Sequence, residues 1–550
     1  MVQLWHEFYQ AFWEGGKVPP KQDGIGTDDC LEEIVTNYSK DLAKIVNNLT
    51  SGEKGEDFIK PERGDRRFDD PEWQDNPVFN LIKQSYLLNC KYARELAGQG
   101  KEGLKKDLAI ENMLNALSPT NFPALNPVVI RETIETKGEN IHKGLNELFA
   151  KLGEGDLVPN QTDKTAFKIG RNIANTEGAV VFENELFQLI EYYPTQENTY
   201  ETPLLIVPPW INKYYIFDLA ENKSFVKWNL DQGRKVYLIS WVNADPSYHD
   251  VSFETFLKKG ILKALKFIHN SSGRKVNTLG FCVGGIALAC SLALLKEDQK
   301  KYCASATFLA TPFDFSKLAD LSFFISQDNI HKTKKIMDQC GILPGTHLMQ
   351  AFSCMRDNDL IWANHIKTYL LGKKPKAIDF LFWNSDSTNL PKKMHYEYLS
   401  FALGNDFIKE TGVYLSQENI SLHNIDVPNF IFATKKDHIV PWESSFSGAQ
   451  VLKNSTFVLG DSGHVAGIIN HPIHKKYNHW IGSKDGHTPE MWFEKAEEKN
   501  GSWWESWSQW LKPFDGCLEK AIPPQNIIEK APGRYATDPT PRAFNQQPYY

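Results

Sequence analysis

The chain is poor in cysteine: eight among 550 residues (Cys30, Cys90, Cys282, Cys290, Cys303, Cys340, Cys354 and Cys517), with no CxxC pair. That scatter suggests neither a disulfide framework nor a zinc ribbon, so a cysteine with a special role is expected to be a reactive thiol. Positive charge is not in excess either. Lys plus Arg number 61 against 68 Asp plus Glu, a formal charge of −7, and no global field draws nucleic acid to such a surface. The N-terminus, MVQLWHEFYQAFWEGG, has no basic start, apolar core or small-residue cleavage site of a secretory signal, so a cytosolic protein is expected. No Walker loop and no G-x-G-x-x-G after a strand is found, and Gly24-Ile25-Gly26 is too short to count, so no nucleotide cofactor is expected. The long charge-free run, Val276 to Leu295 between Lys275 and Lys296, is interrupted by Asn277, Gly280, Gly284 and Gly285. These break it into a strand, a turn and a helix, and no transmembrane segment is expected.

What is abundant is apolar and aromatic. The hydrophobic set makes up 41% of the chain and Phe, Trp and Tyr 12%, against 23% charged residues, which describes a folded globular protein rather than a disordered one. A chain this long exceeds one ordinary core, so a catalytic domain with an appended one is expected. Residues 1–185 read as mostly helical, with Leu4, Trp5, Phe8, Tyr9, Phe12 and Trp13 on one face of a first helix and punctuation at Asn76-Pro77, Ser118-Pro119 and Asn126-Pro127. From there the pattern changes. Short apolar runs at 203–209, 235–241, 276–281, 306–311, 429–434 and 456–460 suit strands buried on both faces, and helical patterns at 253–268 and 286–295 lie between them. The expected class is α/β with a mainly parallel sheet, residues 186–550 forming the catalytic domain. The interval between the fourth and fifth runs is too long for one crossover and predicts an inserted cap over about 312–425. Trp503, Trp504, Trp507 and Trp510 are spaced for one buried helix face, and the Pro-containing last 20 residues read as an irregular tail.

Gly280-Phe281-Cys282-Val283-Gly284 has the G-x-nucleophile-x-G form directly after a strand and before an apolar helix, the setting of a nucleophile elbow. The Val283 N–H and the helix N-terminus would stabilise a thiolate and a developing oxyanion. Alone, the pentapeptide is also an ordinary Gly-rich turn. Two later residues change its weight: Asp437 in TKKDHIVPW follows the strand NFIFAT, and His464 in GDSGHVAG follows TFVLG. Both stand where an α/β sheet assembles its site, in the chain order nucleophile, acid, base of the α/β hydrolases. His438 beside Asp437 is expected to support the site rather than act as its base. A second oxyanion donor is expected from the backbone of Trp210 or Ile211 in IVPPWINKYY. His464, His471, His474 and His479 fit neither HExxH nor a zinc-finger spacing, so no metal is expected.

These residues resemble those of the polyhydroxyalkanoate synthases. GFCVGG, PPWINKYYIFDL, LFWNSDSTNLPKKMH, KDHIVPW and GHVAGIIN resemble the family's signature blocks, and DRRF, WQDNPVF, SPTNF, GRNIANTEGAVVFENEL and APGRY extend the likeness over nearly the whole chain. Its length is similar to the single-polypeptide class acting on short-chain substrates. Phe281, Lys436 and Ala244 depart from the residues common there (Tyr, Glu and Pro), and Lys436 could alter the field on Asp437. The resemblance implies an α/β-hydrolase fold with a cap and a helical N-terminal domain, and polymerisation of an (R)-3-hydroxyacyl-CoA with release of coenzyme A. It further implies a growing polyester chain held by a homodimer at the surface of cytoplasmic granules, with no cofactor beyond the coenzyme A of the substrate. Two rivals stand beside it: a thioesterase or polyester depolymerase using the same three residues, against which Cys in place of Ser argues, and a non-catalytic granule-coat protein.

Overall fold

The computed structural model describes residues 27–50, 57–97, 108–153, 158–484 and 486–538. The aromatic face expected near residues 4–13, Gly24 to Gly26 and the residues after 538 lie outside them. The chain divides into two compact units, one of residues 1–163 with 350–376, the other of 164–349 with 377–550.

The first unit is helical, and its boundaries follow the Asn-Pro punctuation. Helix α1 (Thr27–Thr50) packs on helix α2 (Pro77–Leu96). Asn76 caps α2 by accepting the Val78 N–H at 3.0 Å, with Pro77 at the first helical position where a missing N–H costs nothing; Asn126-Pro127 repeats the device for Pro127–Glu135. The inserted residues 350–376 join this unit through buried polar contacts. Asn140 donates to the Leu370 carbonyl at 2.8 Å, and Asn115 to the Asp357 carboxylate at 2.9 Å.

The second unit is built on an 11-stranded sheet. In chain order its strands are β1 (Gly178–Glu183), β2 (Phe187–Tyr192), β3 (Leu204–Val207), β4 (Val236–Trp241), β5 (Val276–Phe281), β6 (Cys303–Leu309), β7 (Asn429–Thr434), β8 (Ser455–Gly460), β9 (His479–Ile481), β10 (Glu497–Lys499) and β11 (Glu529–Lys530). They lie in the order β10-β9-β8-β7-β6-β5-β3-β4-β2-β1-β11. The parallel centre, β4 to β8, corresponds to the six apolar runs, and every residue of β3, β4, β5 and β7 is buried, as helices on both faces require. The flanks are antiparallel hairpins. The turn between β1 and β2 falls at residue 185, so the sheet starts within the stretch that the sequence reads as helical. This is the α/β-hydrolase architecture, a mixed sheet with a helical N-terminal region.

Helix α3 (Val283–Leu294) follows β5 and is apolar all round, with its residues up to Ala293 buried in the core. Among the described residues no helix is long and apolar enough to cross a membrane. Between β6 and β7 the second unit carries helix α4 (Lys392–Leu403). Helix α5 (Trp503–Leu511) buries Trp503, Trp504 and Trp507, and Trp503 stacks on Phe432 of β7 at 4.3 Å. The expected irregular tail is corrected for residues 531–538. Arg534 pairs with Glu183 and Glu529, the Tyr535 N–H donates to Gln188, and the buried Lys213 ammonium donates to the Tyr535 carbonyl at 2.8 Å. Those charges hold a Pro-containing segment that composition alone reads as loose.

Candidate active site

The sharpest local constraint in the second unit is the turn from β5 into α3. Cys282 sits there with φ 52° and ψ −124°, a conformation that costs a non-glycine residue on the order of 1–3 kcal/mol. Its neighbours must therefore be small. A Cβ on Gly280 would lie 2.6 Å from the Gly285 Cα, one on Gly284 would lie 2.6 Å from the carbonyl oxygens of both Val207 and Pro208, and one on Gly285 would lie 2.0 Å from the Thr311 hydroxyl. The turn is fixed from outside as well, since the Cys282 N–H donates to the Leu309 carbonyl at the end of β6, at 2.8 Å. Cys282 itself is buried, at the N-cap of α3, with Val283 the first helical residue. First-turn N–H groups have no partner within a helix, and their partial positive charge favours an anion.

Asp437 and His464 come to this turn from the ends of the two adjacent strands. Asp437 stands three residues beyond β7, with its Oδ1 accepting from the N–H groups of Ile439 and Val440, both at 2.9 Å. Its Oδ2 accepts from His464 Nδ1 at 2.6 Å and from the Thr434 hydroxyl at 3.3 Å. The Cys282 side chain lies close enough to the His464 ring to raise it, which lines up carboxylate, imidazole and sulfur. Burial opposes a charge on His464. The Asp437 carboxylate and the Cys282 sulfur outweigh it, and the imidazole is raised to about 10. The arrangement favours an imidazolium beside the Asp437 carboxylate. Phe281 lies along the ring of His464 at 5.1 Å between centroids.

The structure therefore gathers Cys282, Asp437 and His464, and it turns the Asp437 carboxylate to His464. His438 is half-buried on the same turn. Lys436 is exposed and pairs with Asp461 at 2.7 Å, so its charge is balanced away from Asp437. His471, His474 and His479 are each otherwise engaged. His471 accepts the Ile473 N–H, His474 meets the Asn222 carbonyl, and His479 bridges the Gly501 carbonyl and the Ser506 hydroxyl.

The segment after β3 packs on the elbow, because Gly284 lies against the Val207 and Pro208 carbonyls. Beyond them, Thr388 of the inserted stretch ties down Trp210 and Ile211: its hydroxyl donates to the Trp210 carbonyl and its N–H to the Ile211 carbonyl at 2.9 Å.

Sequence reasoning missed several supports. Trp503 and Trp504 donate their indole N–H groups to the carbonyls of Gly467 and Ile468, at 3.0 and 2.9 Å, and so fix the segment that carries His464. Their spacing signals burial but not these bonds. Tyr398 of α4 is buried edge-on to Trp210 at 5.5 Å and lies within electrostatic reach of Cys282. Its only sequence signal is its place in the block LFWNSDSTNLPKKMH and beyond.

The chain is similar to known proteins over most of its length. Residues 64–229 match the family profile described as Poly-beta-hydroxybutyrate polymerase (PhaC) N-terminus. Over 498 residues it is 39% identical to the poly(3-hydroxyalkanoate) polymerase subunit PhaC of Rhizobium meliloti, covering 88% of this chain and 81% of that one. With the protein of the same description from Cupriavidus necator it shares 36% identity over 540 residues, 95% of this chain and 89% of that one.

Proposed function

The chain belongs to the poly(3-hydroxyalkanoate) polymerase family and is an acyltransferase, and from that premise we propose that Cys282 carries the acyl group, with His464 as its base and Asp437 as the partner that orients His464. The observation that carries this reading is the hydrogen bond from His464 to Asp437 with Cys282 beside the same ring at the strained elbow. The substrate is an (R)-3-hydroxyacyl-CoA, with 3-hydroxybutyryl-CoA the first choice.

The steps balance as follows. The Cys282 thiol gives its proton to His464 Nε2, and the sulfur attacks the carbonyl carbon of the coenzyme A thioester. The tetrahedral oxyanion lies at the N–H of Val283 and an N–H of Trp210 or Ile211. As it collapses, the carbon–sulfur bond to coenzyme A breaks and the leaving thiolate takes the proton back from His464, which leaves an acyl thioester on Cys282. A 3-hydroxyl then gives its proton to His464 as its oxygen attacks this thioester; the carbon–sulfur bond to Cys282 breaks, the Cys282 sulfur takes the proton back from His464, and the new oxygen ester lengthens the chain by one unit. A thioester on Cys282 retains the acyl activation that an oxygen ester on serine would mostly dissipate, which favours transfer to a hydroxyl over the hydrolase reading of the same triad.

Water must be kept from that thioester, and the stretch between β6 and β7, which brings Thr388 and Tyr398 to the elbow, serves as the cover. His438 supports the Asp437 turn. The growing polyester chain is the second ligand, and the enzyme works as a homodimer at the surface of cytoplasmic polyester granules. The test is to quench the protein with (R)-3-hydroxybutyryl-CoA within its first turnover and map the acylated peptide by mass. Acyl mass on the Cys282 peptide supports the reading; acyl mass on another residue overturns it.

A further inference from the structure

Helix α4 places a second polar side chain, one the triad chemistry does not use, beside Tyr398. His395 is buried, its ring stacks on Tyr398 with centroids 6.2 Å apart and an interplanar angle of 26°, and its Nδ1 has no hydrogen-bond partner among the described residues. A buried ring nitrogen without a partner costs on the order of 1–3 kcal/mol unless something else occupies it. The walls around this pair are aromatic: Trp210, Phe253, Phe315 and Phe407 all contact the Tyr398 ring. Burial alone, with no charged group opposing it, drives His395 down to about 4, so it is a neutral imidazole at working pH. A neutral imidazole offers one donor and one acceptor.

We propose that His395, seated against Tyr398, is a specificity-determining residue that hydrogen-bonds the 3-hydroxyl of the acyl group delivered to Cys282. The chemistry selects that group. Coenzyme A phosphates call for cations, and the charge-free setting of His395 supplies none. An ester carbonyl accepts only, so it meets Nδ1 in one tautomer alone. A hydroxyl on an otherwise apolar acyl group both donates and accepts, so it bonds that nitrogen in either tautomer and suits one polar nitrogen set in an aromatic wall. Tyr398 connects this point to the elbow: its edge meets Trp210, and it lies near Cys282. The inference rests on the acyl-Cys282 reading above and adds to it the means by which hydroxyacyl groups are told from plain ones.

The test is the rate of Cys282 acylation in a single turnover, measured with (R)-3-hydroxybutyryl-CoA and with butyryl-CoA. His395→Phe keeps the stacked ring and removes both nitrogens. Its ratio of hydroxyacyl to acyl rate is expected to fall at least about tenfold from the wild-type ratio, because a site built to bond a hydroxyl is what rejects the analogue lacking it. His395→Gln, which restores a donor and an acceptor, is expected to recover part of the preference, and it carries the comparison if the Phe variant does not fold. A ratio unchanged within twofold in a folded variant overturns the subsite and leaves the acyl-enzyme intact. No acyl group on Cys282 of the wild type overturns the reading beneath it, and the subsite with it.

Discussion

Asp437 and His464 share one hydrogen bond of 2.6 Å, between Oδ2 and Nδ1, while the other Asp437 oxygen is held by two backbone N–H groups of its own turn. The carboxylate therefore cannot rotate freely, and the imidazole it orients has its far nitrogen left for Cys282. The pair also sets a proton balance. A His raised above its unfolded value stabilises the fold fully below the ordinary imidazole range, and that contribution disappears as pH rises toward about 10.

Asp437→Asn removes the chief group that raises His464, so the imidazole falls from its raised value. Two outcomes are expected. Acylation slows by roughly 10²- to 10⁴-fold, the usual worth of a positioned acid or base. The alkaline loss of thermal stability between about pH 7 and 10 is blunted in the variant, as a melting series across that range will record; parallel wild-type and variant curves would remove Asp437 from this role.

Gly284→Ala is expected to disable the elbow. Its Cβ would meet two backbone carbonyl oxygens at 2.6 Å, and neither can move without shifting β3 or the residues after it. Such overpacking costs about 1–3 kcal/mol. Denaturant unfolding should register that loss together with failure to acylate, whereas a variant of wild-type stability and rate would mean that the turn is less tightly packed than described.

Trp503→Phe keeps the ring against Phe432 but loses the indole N–H that reaches the Gly467 carbonyl three residues past His464. A buried carbonyl left without its donor costs about 1–3 kcal/mol. Beyond that, the acylation rate should fall more than substrate binding, because the base is displaced and the acyl pocket is not. A loss confined to KM would contradict this.

In the first unit, Asp357 is raised to about 6, by burial above all, against the bonds from Asn115, the Asn358 N–H and Trp362 that favour its charge. A carboxyl raised in the folded state stabilises below its unfolded value and loses that contribution as pH climbs through about 6. Asp357→Asn should therefore gain in relative thermal stability from pH 4 to pH 7, and equal midpoint differences at the two pH values would refute the assignment.

Much of this was legible in the chain. Six buried runs announced the parallel strands because a strand covered on both faces has no polar side to confuse the pattern, and Cys282, Asp437 and His464 each stood where such a strand ends. The antiparallel β1–β2 hairpin was not foreseen, since GAVVFE follows a long helical region and its partner Phe187–Tyr192 contains Gln188 and Glu191, buried polar residues that blur the run. Nor was the site's outer layer foreseen. Thr388, Tyr398 and the indoles of Trp503 and Trp504 make contacts between residues far apart in sequence, and no local spacing encodes those. The order imposed on residues 531–538 was hidden for the same reason, because its partners Glu183, Gln188 and Lys213 stand more than 300 residues away.

The central claim is that Cys282 holds the acyl group while polyester grows. The direct measurement follows free thiol released from (R)-3-hydroxybutyryl-CoA by the wild type and by Cys282→Ala, and identifies the acyl product of each. Coenzyme A release with a water-insoluble polyester, both abolished in the variant, is the expected result. Free 3-hydroxybutyrate as the sole product, or polyester made by Cys282→Ala, would contradict it.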